Sequence, residues 1–196
     1  MLINEINLIK DKFVIKNTKI ENIDSKIITK TEEIKLIEDR IKNDEIFKNK
    51  HIRYELIFRG TRDGRNSSQF HEKCDGIPNT FFVVQTTKGL KFGAYTAEPW
   101  KNQGGYIKDH RSFLFSLDLM KIYNHIKGNQ AQYFHKDYGP SIYYSIWINQ
   151  DMFKENSSSV CEQNYAYSGY EKKYELNNEE SNFTIKELEI FKIITE

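Results

Sequence analysis

Residues 58–100 read FRGTRDGRNSSQFHEKCDGIPNTFFVVQTTKGLKFGAYTAEPW. A Gly-bounded turn comes first, at Gly60 to Asn66. A short helical segment follows, started by Ser68, running through Lys73 and leading into Cys74-Asp75. TFFVVQT (80–86) and LKFGAYT (90–96) come next. Both are rich in β-branched and aromatic residues, and a tight turn at Lys88-Gly89 joins them, which is the signature of a β-hairpin. The stretch closes on Pro99-Trp100.

Working outward, the residues on either side continue the strand pattern. IRYELIF (52–58) alternates weakly, and SFLFSL (112–117) and IYYSIWI (142–148) read as further strands. The last apolar run, FTIKELEIFKI (183–193), reads as a strand with a bulge near Lys186-Glu187. Residues 154–182 are polar and read as long surface loops between edge strands. The carboxylates of EESNFTIKELE read as a solvated face. Many short strands with two or three helices predict an α+β fold, a two-sheet antiparallel β-sandwich flanked by helices.

Residues 1–59 contain neither glycine nor proline. Leu2, Ile6, Ile9, Phe13, Ile20, Ile23, Ile27, Ile34, Ile37 and Ile41 recur in threes and fours once Lys16 and Lys30 fill two gaps, which is a heptad seam. Asp24-Ser25 and the β-branched Ile27-Ile28-Thr29 interrupt it. Thr29 with Glu32 then fits a capping box that opens a fresh helix, TEEIKLIEDRIK. The expected organisation is an N-terminal helical extension over 1–23, able to self-associate as a coiled coil, and one domain over 24–196.

Composition narrows the function. Aromatic residues make up 14% of the chain, so large rings can build a core although only 38% of the residues are apolar. The net charge of +1 gives no field to draw the chain onto nucleic acid or anionic lipid. No long apolar run and no apolar leader is present, which predicts a soluble cytoplasmic protein without direct membrane insertion. Cys74 and Cys161 make no disulfide framework. His71 and Cys74 lack the further paired spacings of a zinc site. Gly104-Gly105 lacks phosphate-loop spacing, and no GxSxG occurs. Arg62-Asp63-Gly64 reads as a turn in which Asp63 bonds nearby backbone and Gly64 takes the left-handed position. Arg59 and Arg62 are then free to pair with Asp63 or Glu98, or with a partner's carboxylate. No catalytic set, metal or cofactor is expected.

Five segments together resemble the TLDc domain of the oxidation-resistance proteins. They are TEEIKLIEDRI, LIFRGTRDG, FHEKCD, KFGAYTAEPW and FTIKELEIFKI, in that order from about Asp24 to Ile193. The resemblance implies a β-sandwich, no established active site, and a link to oxidative-stress resistance. It also implies binding to the V1 sector of the vacuolar proton-pumping ATPase, and so recruitment to vacuolar or lysosomal membranes through a partner. The candidate motif or partner-binding residues are Arg62, Asp63, Gly64, His71, Cys74, Asp75, Gly93, Tyr95, Trp100 and Gly139. Cys74 is also the redox candidate of a competing reading, a thiol-based stress sensor. Ala94 stands where the family has a second glycine, and LNNEES (176–181) where it has a Gly-rich turn. Loss of those glycines predicts reshaped loops.

Overall fold

The computed structural model describes residues 23–126, 128–161 and 166–196; the first helix expected from the heptad seam lies outside them. In chain order the elements are α1 (Thr31–Ile41), β1 (Ile52–Arg59), α2 (Gly60–Asp63), α3 (Ser67–Cys74), β2 (Thr80–Thr86), β3 (Lys91–Thr96), β4 (Gly105–Ile107), β5 (Phe113–Ser116), β6 (Lys121–His125), β7 (Gln132–Phe134), β8 (Ser141–Ile142), β9 (Ile146–Trp147), β10 (Ser158–Val160), β11 (Tyr167–Ser168), a 3-10 turn (Glu175–Asn177), β12 (Asn182–Phe183) and β13 (Ile185–Thr195). Among the described residues the strands form two antiparallel sheets. One runs β1-β13-β2-β3-β5-β6-β11 and the other β12-β10-β9-β8-β7-β4.

The large sheet is apolar on both faces, because each has a cover. Phe58, Phe82, Val84, Phe92, Leu114, Leu188 and Ile190 meet Phe134, Ile142, Ile146, Ile148, Val160 and Phe183 of the small sheet and its loops. Phe81, Val83, Tyr95, Phe113, Phe115, Phe191 and Ile193 point the other way, under Ile34, Ile37 and Ile41 of α1. A strand buried on both sides loses the polar alternation of a half-exposed one, hence the unbroken apolar run in TFFVVQT. Ile27, Ile34, Ile37 and Ile41 of the apparent seam are therefore domain core. The seam breaks at Ser25, whose Oγ accepts from the amides of Ile27 and Ile28 at 3.1 and 2.8 Å. The helix start lies one residue later than expected: Lys30 is the N-cap, and Glu33, not Glu32, reaches back to the Thr29 and Lys30 amides.

Three further expectations are corrected. IYYSIWI is a hairpin, β8 and β9, turned by Ser145 N–H donating to the Ile142 carbonyl (3.0 Å) with Tyr144 at φ 49°. Among the described residues, 154–182 holds β10, β11, a 3-10 turn and the first residue of β12 as well as loops. The carboxylates Glu187 and Glu189 are buried rather than solvated, at 5% and 0% exposure. The bulge expected near Lys186-Glu187 is present as a register shift between Ile185 and Glu187. Gly93 sits where β3 presses on β2: a Cβ there would lie 1.9 Å from the Phe82 carbonyl oxygen. Its neighbour Ala94 is fully buried in the inter-sheet core. At the glycine-less LNNEES turn the backbone still takes left-handed angles, at Asn178 and Glu179 (φ 51° and 68°).

The loop leading into that turn is organised by a carboxylate. Glu175 accepts from Lys121 Nζ (2.7 Å), Tyr123 Oη (2.9 Å) and the amides of Glu171 (2.6 Å) and Lys172 (3.1 Å). Burial alone would raise its pKa, but these donors outweigh it and hold the carboxyl down at about 2. The native pKa lies below the unfolded value, so the associated stability is complete above the ordinary glutamate value of 4.5 and is lost as pH falls from there towards 2. Glu175→Gln is expected to lower stability by about 2 kcal/mol at neutral pH. It should also flatten the acid limb of a pH–stability curve, read by urea unfolding between those two values. An unchanged acid limb would show that Glu175 does not hold the loop.

Candidate functional site

Apart from Gly93 and Tyr95, the family-motif residues converge at one end of the sandwich, where α2 and α3 follow β1. Asn66, not Ser68, caps α3: its Oδ1 accepts from the Gln69 amide at 3.2 Å. The expected turn at 60–66 begins as α2, which Asp63 closes by accepting from the Arg59 amide at 2.8 Å. Gly64 follows at φ 142°, pressed against the Gln69 side chain, where an L side chain would be strained.

Asp63 is held from several sides. Arg62 donates through Nε and Nη2 at 2.9 and 2.7 Å, and Lys73 lies 3.3 Å away. The Arg62 contact, with the Arg59 amide and Lys73 adding and burial opposing, holds the Asp63 carboxyl down at about 2. Arg59 does not pair with Glu98. Its guanidinium is buried, donating to Glu189 Oε1 (2.7 Å), the Asp24 carbonyl (2.8 Å) and Asp24 Oδ1 (3.1 Å). Glu189 also accepts from Ser25 Oγ (2.5 Å) and the Lys26 amide (2.9 Å). Glu187 accepts from the amide of Thr61 (3.0 Å) and from its hydroxyl. Two carboxylates of the last strand thus fasten both the start of the domain and α2 to the sheet.

His71 does not pair with Cys74. Its Nδ1 lies 2.8 Å from Asp75 Oδ1, and its Nε2 lies 3.1 and 3.0 Å from the carbonyl oxygens of His135 and Tyr138. The ring therefore fastens the loop after β7 to α3. Ser67 Oγ adds a bond to the Lys136 carbonyl (2.9 Å), and its amide donates to Gln150 (2.9 Å). Gly139 joins the same corner through its amide bond to Ile148 (2.8 Å). Trp100 bridges to Asp75, and its Nε1 donates to Thr80 Oγ1 at 2.9 Å. Cys74 is fully buried in the inter-sheet core. Burial pushes its thiol well above the usual range, with Asp75 and Asp63 adding and Lys73 opposing. It is thus held as a thiol, the unreactive form. Gly93 and Tyr95 lie elsewhere, in the large sheet. Tyr95 stacks on Phe113 beneath α1, and its hydroxyl donates to Asn79 Oδ1 at 3.1 Å.

Outside the corner lies an open concavity of about 670 Å³, lined by Thr61, Arg62, Arg65, Gln69, Asp151 and Lys154 among others. The Arg65 guanidinium lies over the Phe153 ring, 5.2 Å from its centroid. Among the described residues no three His, Cys, Asp or Glu side chains group as metal ligands, and no helix is long and apolar enough to cross a membrane. Sequence reasoning named Arg59 but not its partners, and missed Arg65 and the buried roles of Glu187 and Glu189. The signal for Glu189 was its place in a strand apolar on both faces.

A two-sheet antiparallel sandwich, covered by one helix and locked at one end by a His-bearing helix, is the class of protein defined here. The TLDc-domain family model matches residues 22–194, and the chain belongs to that family. No curated protein matches it.

Proposed function

We propose that this chain is a non-enzymatic regulatory module that binds the V1 sector of the vacuolar proton-pumping ATPase from the cytoplasmic side. One observation carries this reading. The motif side chains His71 and Cys74 are turned inward and occupied, whereas Arg65, Lys154 and the Asp63-paired Arg62 line an open concavity. A surface of that kind binds rather than reacts, and its cations suit carboxylates on a partner. Binding one assembly state of V1 better than another shifts the pump's population towards that state. Residues 2–20, in this reading, add a second contact or self-association.

The test is the response of V1 ATP hydrolysis to the purified protein and to its Arg65→Glu, Lys154→Glu variant. Both side chains are exposed, so the melting temperature should stay put while the concentration needed for half the effect rises about tenfold. An equal response from both proteins would remove the concavity from the interface.

A further inference from the structure

β1 stands at one edge of the large sheet, with β13 as its neighbour. Alternate residues of an edge strand turn their backbone groups outward. Two bonds fix which residues do so here. The Glu196 amide donates to the His51 carbonyl at 3.1 Å, across the β1–β13 ladder. Ile193, which lies opposite Tyr54, donates instead to the Asn79 carbonyl on its other side, at 2.9 Å. His51, Arg53 and Glu55 therefore bond towards β13, and the N–H and C=O groups of Ile52, Tyr54 and Leu56 point out from the sheet. Among the described residues no other strand takes them up. A row of such groups is a template for one more strand. The row ends at Leu56, where the register against β13 slips before Phe58.

The side chains along that row select the occupant. Ile52, Tyr54 and Leu56 belong to the layer under α1. Arg53 and Glu55 point to the opposite face, and both are exposed. The order is aliphatic, cation, Tyr54, anion, aliphatic. An antiparallel copy related by a two-fold axis beside Tyr54 complements it at every position. Tyr54 then meets Tyr54 of the second copy, Ile52 meets its Leu56, and Arg53 meets its Glu55. The backbone agrees with this pairing. The Tyr54–Tyr54 and Ile52–Leu56 pairs fall on the outward-facing groups, so each exchanges both of its backbone bonds. The Arg53–Glu55 pairs fall between them, at the positions where facing side chains approach most closely. Only Ile52, Tyr54 or Leu56 can centre such a pairing, because only their groups face out. Centring on Ile52 would set Arg53 against His51, and centring on Leu56 would set Glu55 against Ile57, within the register slip. Tyr54 is the centre that opposes unlike charges. Arg53 already holds Glu196 at 2.5 Å, but its guanidinium carries five donors in a fork, enough for a second carboxylate.

We propose that the edge strand β1 binds β1 of a second copy of this chain, antiparallel and centred on Tyr54, so that the two large sheets become one. This neither needs nor excludes V1 binding.

The experiment is analytical sedimentation of the full-length chain across a concentration series. The samples are the wild type, Arg53→Glu, Glu55→Arg, and an equal mixture of those two variants. So short a pairing predicts a reversible wild-type dimer with a dissociation constant on the order of 100 μM. Either variant alone sets like charges opposite each other at both pairs, so its dimer should weaken about tenfold or more. In the mixture the two introduced charges face each other and a native Arg53–Glu55 pair is kept, so association should return to the wild-type strength. In the wild type, hydrogen exchange at the Ile52, Tyr54 and Leu56 amides should slow as concentration rises, while that at Arg53 and Glu55 is slow throughout. A wild-type chain still monomeric at about 1 mM would overturn the proposal. So would a dimer equally strong in all four samples, as residues 2–20 alone would give, or exchange at the three outward amides that ignores concentration. Variants that dissociate singly, keep the wild-type melting temperature and fail to recover on mixing would overturn it too.

Discussion

Glu189→Ala is expected to cost about 3–5 kcal/mol, because it leaves the buried Arg59 guanidinium facing an empty site. Glu189 is wholly buried and accepts from Arg59, Ser25 and the Lys26 amide, so one truncation unties three donors. Asp24 offers Arg59 a second acceptor, but its side chain is 75% exposed and cannot replace the lost desolvated contact. Urea unfolding reads the loss, and hydrogen exchange should show the amides of Ile27 and Ile28 opening first. Arg59→Met combined with Glu189→Leu should recover most of the stability, since an apolar pair of similar volume no longer has charges to desolvate. A single-variant cost under about 1 kcal/mol would mean that the carboxylate is not what ties the start of the domain to the sheet.

Trp100→Ala is the second large loss, again about 3–5 kcal/mol. The ring packs against Phe70, Phe82 and Phe134 at centroid distances of 5.6, 6.3 and 6.3 Å, joining the motif helix to both sheets. Trp100→Phe keeps most of that contact and loses the bond to Thr80, so it should cost about 1 kcal/mol. The ratio of the two separates packing from hydrogen bonding. If the phenylalanine variant proved as damaging as the alanine one, the indole N–H would be the principal tie and the packing argument would fail.

Both predictions turn on residues whose roles were unevenly legible beforehand. The apolar runs that build β2, β3, β5 and β13 announce themselves, because strands buried on two faces carry no polar alternation. In the last strand, Phe191 and Ile193 face α1 while Leu188 and Ile190 face the small sheet, so Glu187 and Glu189 had to be buried too. Reading them as solvated followed their charge and overlooked the strand around them. The hairpin inside IYYSIWI was hidden for another reason. Its turn uses neither glycine nor proline, and Tyr144 adopts the left-handed angle that sequence rules reserve for others. The strands within 154–182 span two or three residues each, too few for any period to show. In the motif segment the residue types were right and their direction was not. His71 and Cys74 share α3, but the imidazole turns to carbonyls across the corner, which only the tertiary fold supplies.

The aromatic outer face of the small sheet was the least legible part. Its rings come from 106, 133–147 and the loop between, and an excess of tyrosine in sequence looks the same whether the rings are core or surface. The pairing of β4, β7, β8 and β9 decides it, by giving Phe134, Ile142 and Ile146 to the core and Tyr133, Tyr106 and Trp147 to the outside.

The central claim is that this domain works by holding a partner. The most direct measurement is co-sedimentation of the purified full-length protein with V1 from the same organism across a concentration series. The account predicts saturable association that weakens as salt rises, because cations around the concavity contribute to it. No association at tens of micromolar protein, with the domain shown folded in the same buffer, would contradict it.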